Sequence, residues 1–191
     1  IMKIIKKFFN SKIILFSPTI YRDKRGYFIE SYNKQLLKKI GIKDNFIQDN
    51  QSFSQKKYTF RGIHLQIKPY AQAKLIRVLT GSVIDYIFDL RLNSKTYGKY
   101  ESIKLDCKQQ KQIFIPEGFG HAFLTLEDNT ILQYKVSKKY SAKKSVFLNF
   151  NDKKLNINFK KFKKNKIILS YNDKNGISLN EFEKIILKQK K

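Results

Sequence analysis

A chain of 191 residues with 41% hydrophobic and 14% aromatic residues, but only 8 Gly and 3 Pro, has the length for one domain and the means to pack a core, which excludes disordered and fibrous classes. The net charge of +25, from 40 Lys and Arg against 15 Asp and Glu, raises nucleic acid, an anionic membrane or a phosphorylated ligand as partner, yet Lys runs from end to end alongside abundant Ile and Asn, as an A/T-biased coding sequence would give. The single cysteine, Cys107, excludes an intrachain disulfide and suits a cytoplasmic protein.

Residues 1–16 mix apolar side chains with Lys3, Lys6, Lys7 and Lys12. The apolar run there is too short to span a bilayer, and no small-residue cleavage pattern follows, so neither a membrane span nor a signal peptide is expected. Strands are expected over 27–31, 46–53, 59–66, 74–79, 82–90, 100–105, 112–115, 121–126 and 130–136, stretches rich in Ile, Val, Phe and Tyr and bounded by turn residues. Gly81 and Asp128-Asn129 read as tight hairpin turns. A helix is expected over 33–40, capped by Asn33, and another over 180–190, where Phe182, Ile185 and Ile186 share a face. The basic run 160–166 reads as a solvated connector. Many short strands about ten residues apart argue for an all-β sandwich or barrel, with a core over about 12–150 and a helical or irregular C-terminal segment over about 151–191.

The chain has only two histidines, each in a strand-like stretch beside a turn. His64 lies in Arg61-Gly62-Ile63-His64-Leu65-Gln66, and His121 follows the Pro116, Gly118 and Gly120 cluster. Regular alternation puts Arg61 and Ile63 on one strand face and Gly62, His64 and Gln66 on the other. By these residues alone, each histidine is as well explained by structure as by chemistry.

Longer stretches carry a resemblance. They are Arg22 to Glu30, Gln48-Asp49-Asn50, Arg61 to Gln66, Ala71 to Val78, Gly81 to Asp85, Asp89-Leu90-Arg91, Ser94 to Gly98, Ile115 to Phe123, Tyr134-Lys135 and Leu169 to Asp173. In this order they resemble the dTDP-4-dehydrorhamnose 3,5-epimerase family over roughly residues 12–175. The resemblance implies a cupin-type jelly-roll core, a homodimer, a dTDP-linked 4-keto sugar as substrate, and no metal or redox cofactor. A ketone at carbon 4 acidifies the protons at carbons 3 and 5; epimerisation needs a base, an acid on the opposite face and a group to hold the enolate oxygen.

The resemblance makes His64 the base, Asp173 the carboxylate that orients it, Tyr134 the opposing acid and Lys74 the stabiliser of the enolate oxygen, with Asp85 assisting His64. It implies substrate contacts from Arg25, Phe28, Glu30, Gln48, Asn50, Arg61, His121 and Tyr140. The chain departs from the family at Ala122, where glycine is usual, at Phe150 and Phe159, where tryptophan is usual, and at Ser145, near a usual glutamate. The C-terminal departures bear on the nucleotide pocket and leave open a different nucleotide or epimerisation of one carbon. The other readings are a ketoisomerase of the same fold, a basic nucleic-acid-binding protein on a degenerate fold, and a metal cupin. The last is disfavoured because the two histidines lie in separate motifs.

Overall fold

From Gln48 to Val136 the strands pair from the middle of the segment outwards, as in one long hairpin rolled up. The computed structural model, which describes residues 1–159, 162 and 166–189, contains β1 (Met2–Phe8), β2 (Ile13–Pro18), β3 (Ile20–Asp23), β4 (Gly26–Ile29), α1 (Lys34–Lys39), β5 (Gln48–Ser54), β6 (Phe60–Gln66), β7 (Lys74–Thr80) and β8 (Ser82–Asp89). It continues with β9 (Tyr100–Asp106), β10 (Gln112–Ile115), β11 (Phe119–Thr125), β12 (Thr130–Val136), β13 (Ser145–Phe147), α2 (Tyr171–Lys174) and α3 (Leu179–Lys188). Apart from Phe162 and Lys166, the connector expected over 160–166 lies outside the described residues.

β8 pairs with β9, β7 with β10, β6 with β11 and β5 with β12, all antiparallel. Rolling this hairpin gives a six-stranded sheet, β1-β2-β10-β7-β12-β5, facing a five-stranded sheet, β13-β6-β11-β8-β9. The result is the expected jelly-roll sandwich of the cupin kind.

The rolled topology corrects two turns. Gly81 joins β7 to β8 and Asn129 precedes β12, but in each case the strands joined belong to different sheets. Neither is a hairpin; both are corners where the chain crosses between sheets. Gly81 takes φ +76°, and a side chain there would meet Thr130 Oγ1 at 2.5 Å. A compact turn residue signals a reversal but not whether the next strand stays in the same sheet.

Three apolar layers hold the sandwich. Ile13, Leu15, Ile76, Val78, Val83, Ile87, Ile113 and Leu132 pack between the sheets. Leu37 of α1 closes the outer face of the six-stranded sheet over Ile14, Phe16, Leu75 and Phe114. The chain beyond β13 covers the outer face of the five-stranded sheet, with Leu148, Phe150, Leu155, Phe159, Leu179 and Phe182 against Phe60, Ile63 and Leu124. Burying one such side chain is worth about 2 kcal/mol. Phe150 lies tilted against Phe60 and Phe159 edge-on to it, each at 5.8 Å, so these two departures from the family pattern are part of the core packing.

The N-terminal strands β1 and β2 were not expected. The run Ile13-Ile14-Leu15-Phe16 lacks alternation because β2 is buried on both faces. β1 hides its signal under exposed Lys3, Lys6 and Lys7, and it carries a register shift between Ile4 and Lys6. Lysines and a bulge are what protect a sheet edge from pairing. Asn33 caps α1 as expected, accepting from the Gln35 and Leu36 amides, while α3 begins at a capping box of Ser178 and Glu181. No described helix is long and apolar enough to cross a membrane.

Candidate active site

The site is built around a defect in β6. Opposite β11 the register slips by one residue, so that His64 faces His121 but Arg61 faces Phe123. Gly62 is the extra residue, at φ +139°. A Cβ there would lie 2.2 Å from the Cβ of Ala122, a position only glycine tolerates. The bulge overturns the expected alternation. Phe60, Ile63 and Leu65 all join the outer core, which leaves Arg61, His64 and Gln66 together on the opposite face.

His64 donates from Nε2 to Asp173 Oδ1 at 2.5 Å, its side chain 38% exposed and that of Asp173 3%. An ionised carboxylate only accepts, so the proton sits on Nε2 and Nδ1 carries the free lone pair. The Phe147 ring stands edge-on to the imidazole at 4.8 Å. Asp173 is held by a residue the sequence reading passed over. Ser170 caps α2: its hydroxyl donates to Asp173 Oδ2 at 2.8 Å and accepts from the Asp173 amide at 3.1 Å. A serine three residues before an acidic residue is a helix-start signature that was available in the sequence.

Asp85 makes no hydrogen bond to His64 among the described residues. Its Oδ2 accepts from His121 Nε2 at 2.7 Å, and both side chains are buried. The rolled hairpin is the reason: β11 lies between β6 and β8, so His121 intercepts the carboxylate. Burial, reinforced by the nearby Lys74, holds the His121 imidazole below its usual pKa against the pull of Asp85.

Lys74 and Tyr134 enter from the six-stranded sheet. Lys74 is buried and donates to the His64 carbonyl at 3.3 Å. Burial brings its ammonium down to about 8, and Asp85 opposes that fall. Tyr134 lies mostly buried beside Arg61; desolvation raises its hydroxyl above the usual phenol value, and the guanidinium offsets part of this. Arg61 itself is braced by Ser54 Oγ at 3.1 Å and the Phe53 carbonyl at 2.9 Å. Asn50 pairs across from Tyr134 and accepts from Gln48 Nε2 at 2.7 Å, which puts both residues at the same end of the sandwich.

Gln66 has a role that its strand position only hinted at. Its Nε2 donates to the Lys139 carbonyl at 3.1 Å and its Oε1 accepts from the Ser141 amide at 2.6 Å. It thus grips the backbone on both sides of Tyr140, whose ring is exposed. Ser145 also donates to Gln66 Oε1, at 3.3 Å.

The structure does not bring Arg25, Phe28 and Glu30 to this group. They lie on the β3–β4 hairpin and just after it. Arg25 pairs with Asp23 at 2.6 Å, Phe28 is 66% exposed, and Glu30 accepts from Asn33. The hairpin rests instead near the turn before β10, where Gln110 donates to the Tyr27 hydroxyl at 2.7 Å.

The chain is similar to known proteins in sequence and fold. The sequence profile described as dTDP-4-dehydrorhamnose 3,5-epimerase matches residues 11–181. The dTDP-4-dehydrorhamnose 3,5-epimerase of Shigella flexneri is 39% identical over 146 residues, 76% of this chain and 80% of its own. The crystal structure of dTDP-4-dehydrorhamnose 3,5-epimerase from Bacillus anthracis, with TDP and PPi bound, superposes with a TM-score of 0.88 at 39% identity, over 93% of this chain and 99% of that one. A dTDP-6-deoxy-D-glucose-3,5-epimerase from Legionella pneumophila, in complex with dTDP-4-keto-L-rhamnose, gives 0.87 at 34% identity over 94% of each chain. With the profile matching most of its length, the chain belongs to the dTDP-4-dehydrorhamnose 3,5-epimerase family.

Proposed function

We propose that the protein epimerises carbons 3 and 5 of a dTDP-linked 4-keto-6-deoxyhexose, turning dTDP-4-keto-6-deoxyglucose into dTDP-4-keto-rhamnose. His64 takes the proton through Nδ1, with Asp173 steadying the imidazolium that forms. Lys74 neutralises the enolate oxygen, and Tyr134 returns a proton to the other face of the sugar. The observation that carries this reading is the origin of the two proton-handling groups: His64 stands on one sheet and Tyr134 on the sheet that faces it. The pH behaviour suits the roles, since a tyrosine raised by burial stays protonated until it is needed.

The nucleotide is held by Arg25, Phe28, Glu30, Gln48, Asn50 and Tyr140, with Arg61 and His121 lining the sugar site. Arg25 suits a diphosphate because its guanidinium forks two N–H groups. Arg25, Phe28 and Glu30 make no hydrogen bond to the His64 group of their own chain among the described residues, and Tyr21, Tyr27 and Phe28 are exposed on the same hairpin. The protein therefore acts as a homodimer in which each hairpin completes the site of the other copy.

The test is NMR of dTDP-4-keto-6-deoxyglucose with the purified protein in deuterated water. Deuterium at carbons 3 and 5, with formation of the rhamno product, is expected. No exchange at either carbon would end the proposal, and exchange at one carbon alone would make the protein a mono-epimerase.

A further inference from the structure

The carboxylate of Asp85 makes one hydrogen bond with two oxygens. Oδ2 accepts from His121, while Oδ1 is buried and meets no donor among the described residues. Across the sandwich the buried ammonium of Lys74 makes, among the described residues, a single long hydrogen bond, to the His64 carbonyl. A buried charge of either sign is strongly unfavourable without its opposite. Here the two lie on facing sheets, with the imidazole of His121 tied to one of them, and without direct contact as an ion pair. In a poorly solvated interior their attraction persists over such a separation.

The geometry points to Asp85 as a positioning residue for the epimerisation: it fixes His121 in the Nε2–H form, with Nδ1 free to accept a substrate hydroxyl, and it keeps the positive charge on Lys74. The inference rests on the function proposed above. Lys74 donates to the His64 carbonyl of β6, feels the charge of Asp85 on β8 and acts in turn on His121 of β11, while Tyr134 stands on the paired strand β12; of these groups, Asp85 is the carboxylate. Lys74 stands at about 8 with Asp85 pulling it upward. Without that carboxylate, burial would drive the proton off unopposed. A lysine stabilises an enolate only while charged, so activity falls as pH rises through its pKa. Removing Asp85 moves that fall to lower pH.

The experiment has two parts, both on the intact protein. The first is kcat and KM for dTDP-4-keto-6-deoxyglucose against pH, for the wild type, Asp85→Asn and Asp85→Glu. Asp85→Asn is expected to shift the basic limb of kcat down by about one pH unit or more, which near the limb is about a tenfold loss, with KM little changed. Asp85→Glu should restore much of the limb. A merely structural role would lower kcat alike at every pH, and that result overturns the inference.

The second part is the imidazole 15N spectrum of the wild type. With two histidines, His64→Asn assigns both. His121 is expected to be neutral and protonated at Nε2 at pH 7 and above; a proton on Nδ1, or a charged His121 at pH 7, also overturns the inference. If Asp85→Asn fails to fold, Asp85→Glu and this spectrum decide. If the wild type turns over no substrate, the proposed function falls by itself, and the spectrum still decides Asp85.

Discussion

Two histidine–aspartate pairs, His64–Asp173 and His121–Asp85, sit at directly paired positions of neighbouring strands with bonds of 2.5 and 2.7 Å. They differ in contact with solvent. The His64 side chain is 38% exposed and that of His121 8%. Their carboxylates also differ: Asp173 has a second partner in Ser170, whereas Asp85 Oδ1 has none among the described residues. The same pair of side chains thus gives two devices. A base must pass its proton on, and the half-exposed pair can do so; the buried pair holds its imidazole neutral and serves as a fixed dipole. The chemistry of a dyad is set by what surrounds it more than by its own geometry.

Substitutions can break this contrast, and the largest effect is expected at the open pair. His64→Asn removes the base, and kcat should fall by about a thousandfold, while calorimetry shows dTDP binding little changed. Retained turnover would reverse the assignment of the two histidines. Asp173→Asn keeps a side chain of the same size but no longer stabilises the imidazolium; a loss of about a hundredfold in kcat is expected, and a loss under threefold would mean that Asp173 only packs α2. Ser170→Ala leaves Asp173 Oδ2 without its hydroxyl donor. A hydrogen bond of about 1 kcal/mol corresponds to about a fivefold loss of kcat, with KM steady; a rise in KM instead would place Ser170 in binding.

The smallest catalytic effect belongs to a third buried carboxylate, one that has no histidine. Asp89 takes Arg91, Ser94 and Thr96 as partners, with bonds of 2.7 Å from Arg91 Nη2, 2.6 Å from Ser94 and 2.5 Å from Thr96. Despite desolvation, these partners hold its carboxyl down at about 2. A carboxyl depressed in the folded state stabilises the fold fully above its unfolded pKa near 4, and that stability is lost as pH falls through about 2. About two pK units correspond to about 3 kcal/mol at most. Asp89→Asn should therefore lower the melting temperature at pH 7 by several degrees, flatten the acid side of the stability curve, and leave kcat per folded molecule unchanged. A variant that melts like the wild type would show the loop from Arg91 to Thr96 to be held by other contacts.

Much of this arrangement was legible in the sequence, and the failures share one cause. Strands at 112–115 and 130–136 fall where expected, and seven of the others lie within two residues or so at either end, because alternating or β-branched runs between turn residues follow local rules. Pairing does not follow them. Gly81 has the local signature of a hairpin, yet the rolled topology sends the strands on its two sides to different sheets, and it sets β11 between the strands of His64 and Asp85. The Gly62 bulge defeated a strict two-residue period in the same way: nothing local says that one glycine will be left out of the count. Asp173 came from the family resemblance alone, since 109 residues separate it from His64 and no periodicity spans that distance.

The anchor of Lys74 has one more consequence. The ammonium is tied to the main-chain carbonyl of residue 64, not to its imidazole. Replacing the side chain erases the base and leaves the cation's tether in place. His64→Asn should therefore still greet the ketone oxygen of an intact sugar and then do nothing to it. Recognition and reaction are carried by two ends of the same residue, which makes this variant the natural trap for photographing the unreacted substrate in a crystal.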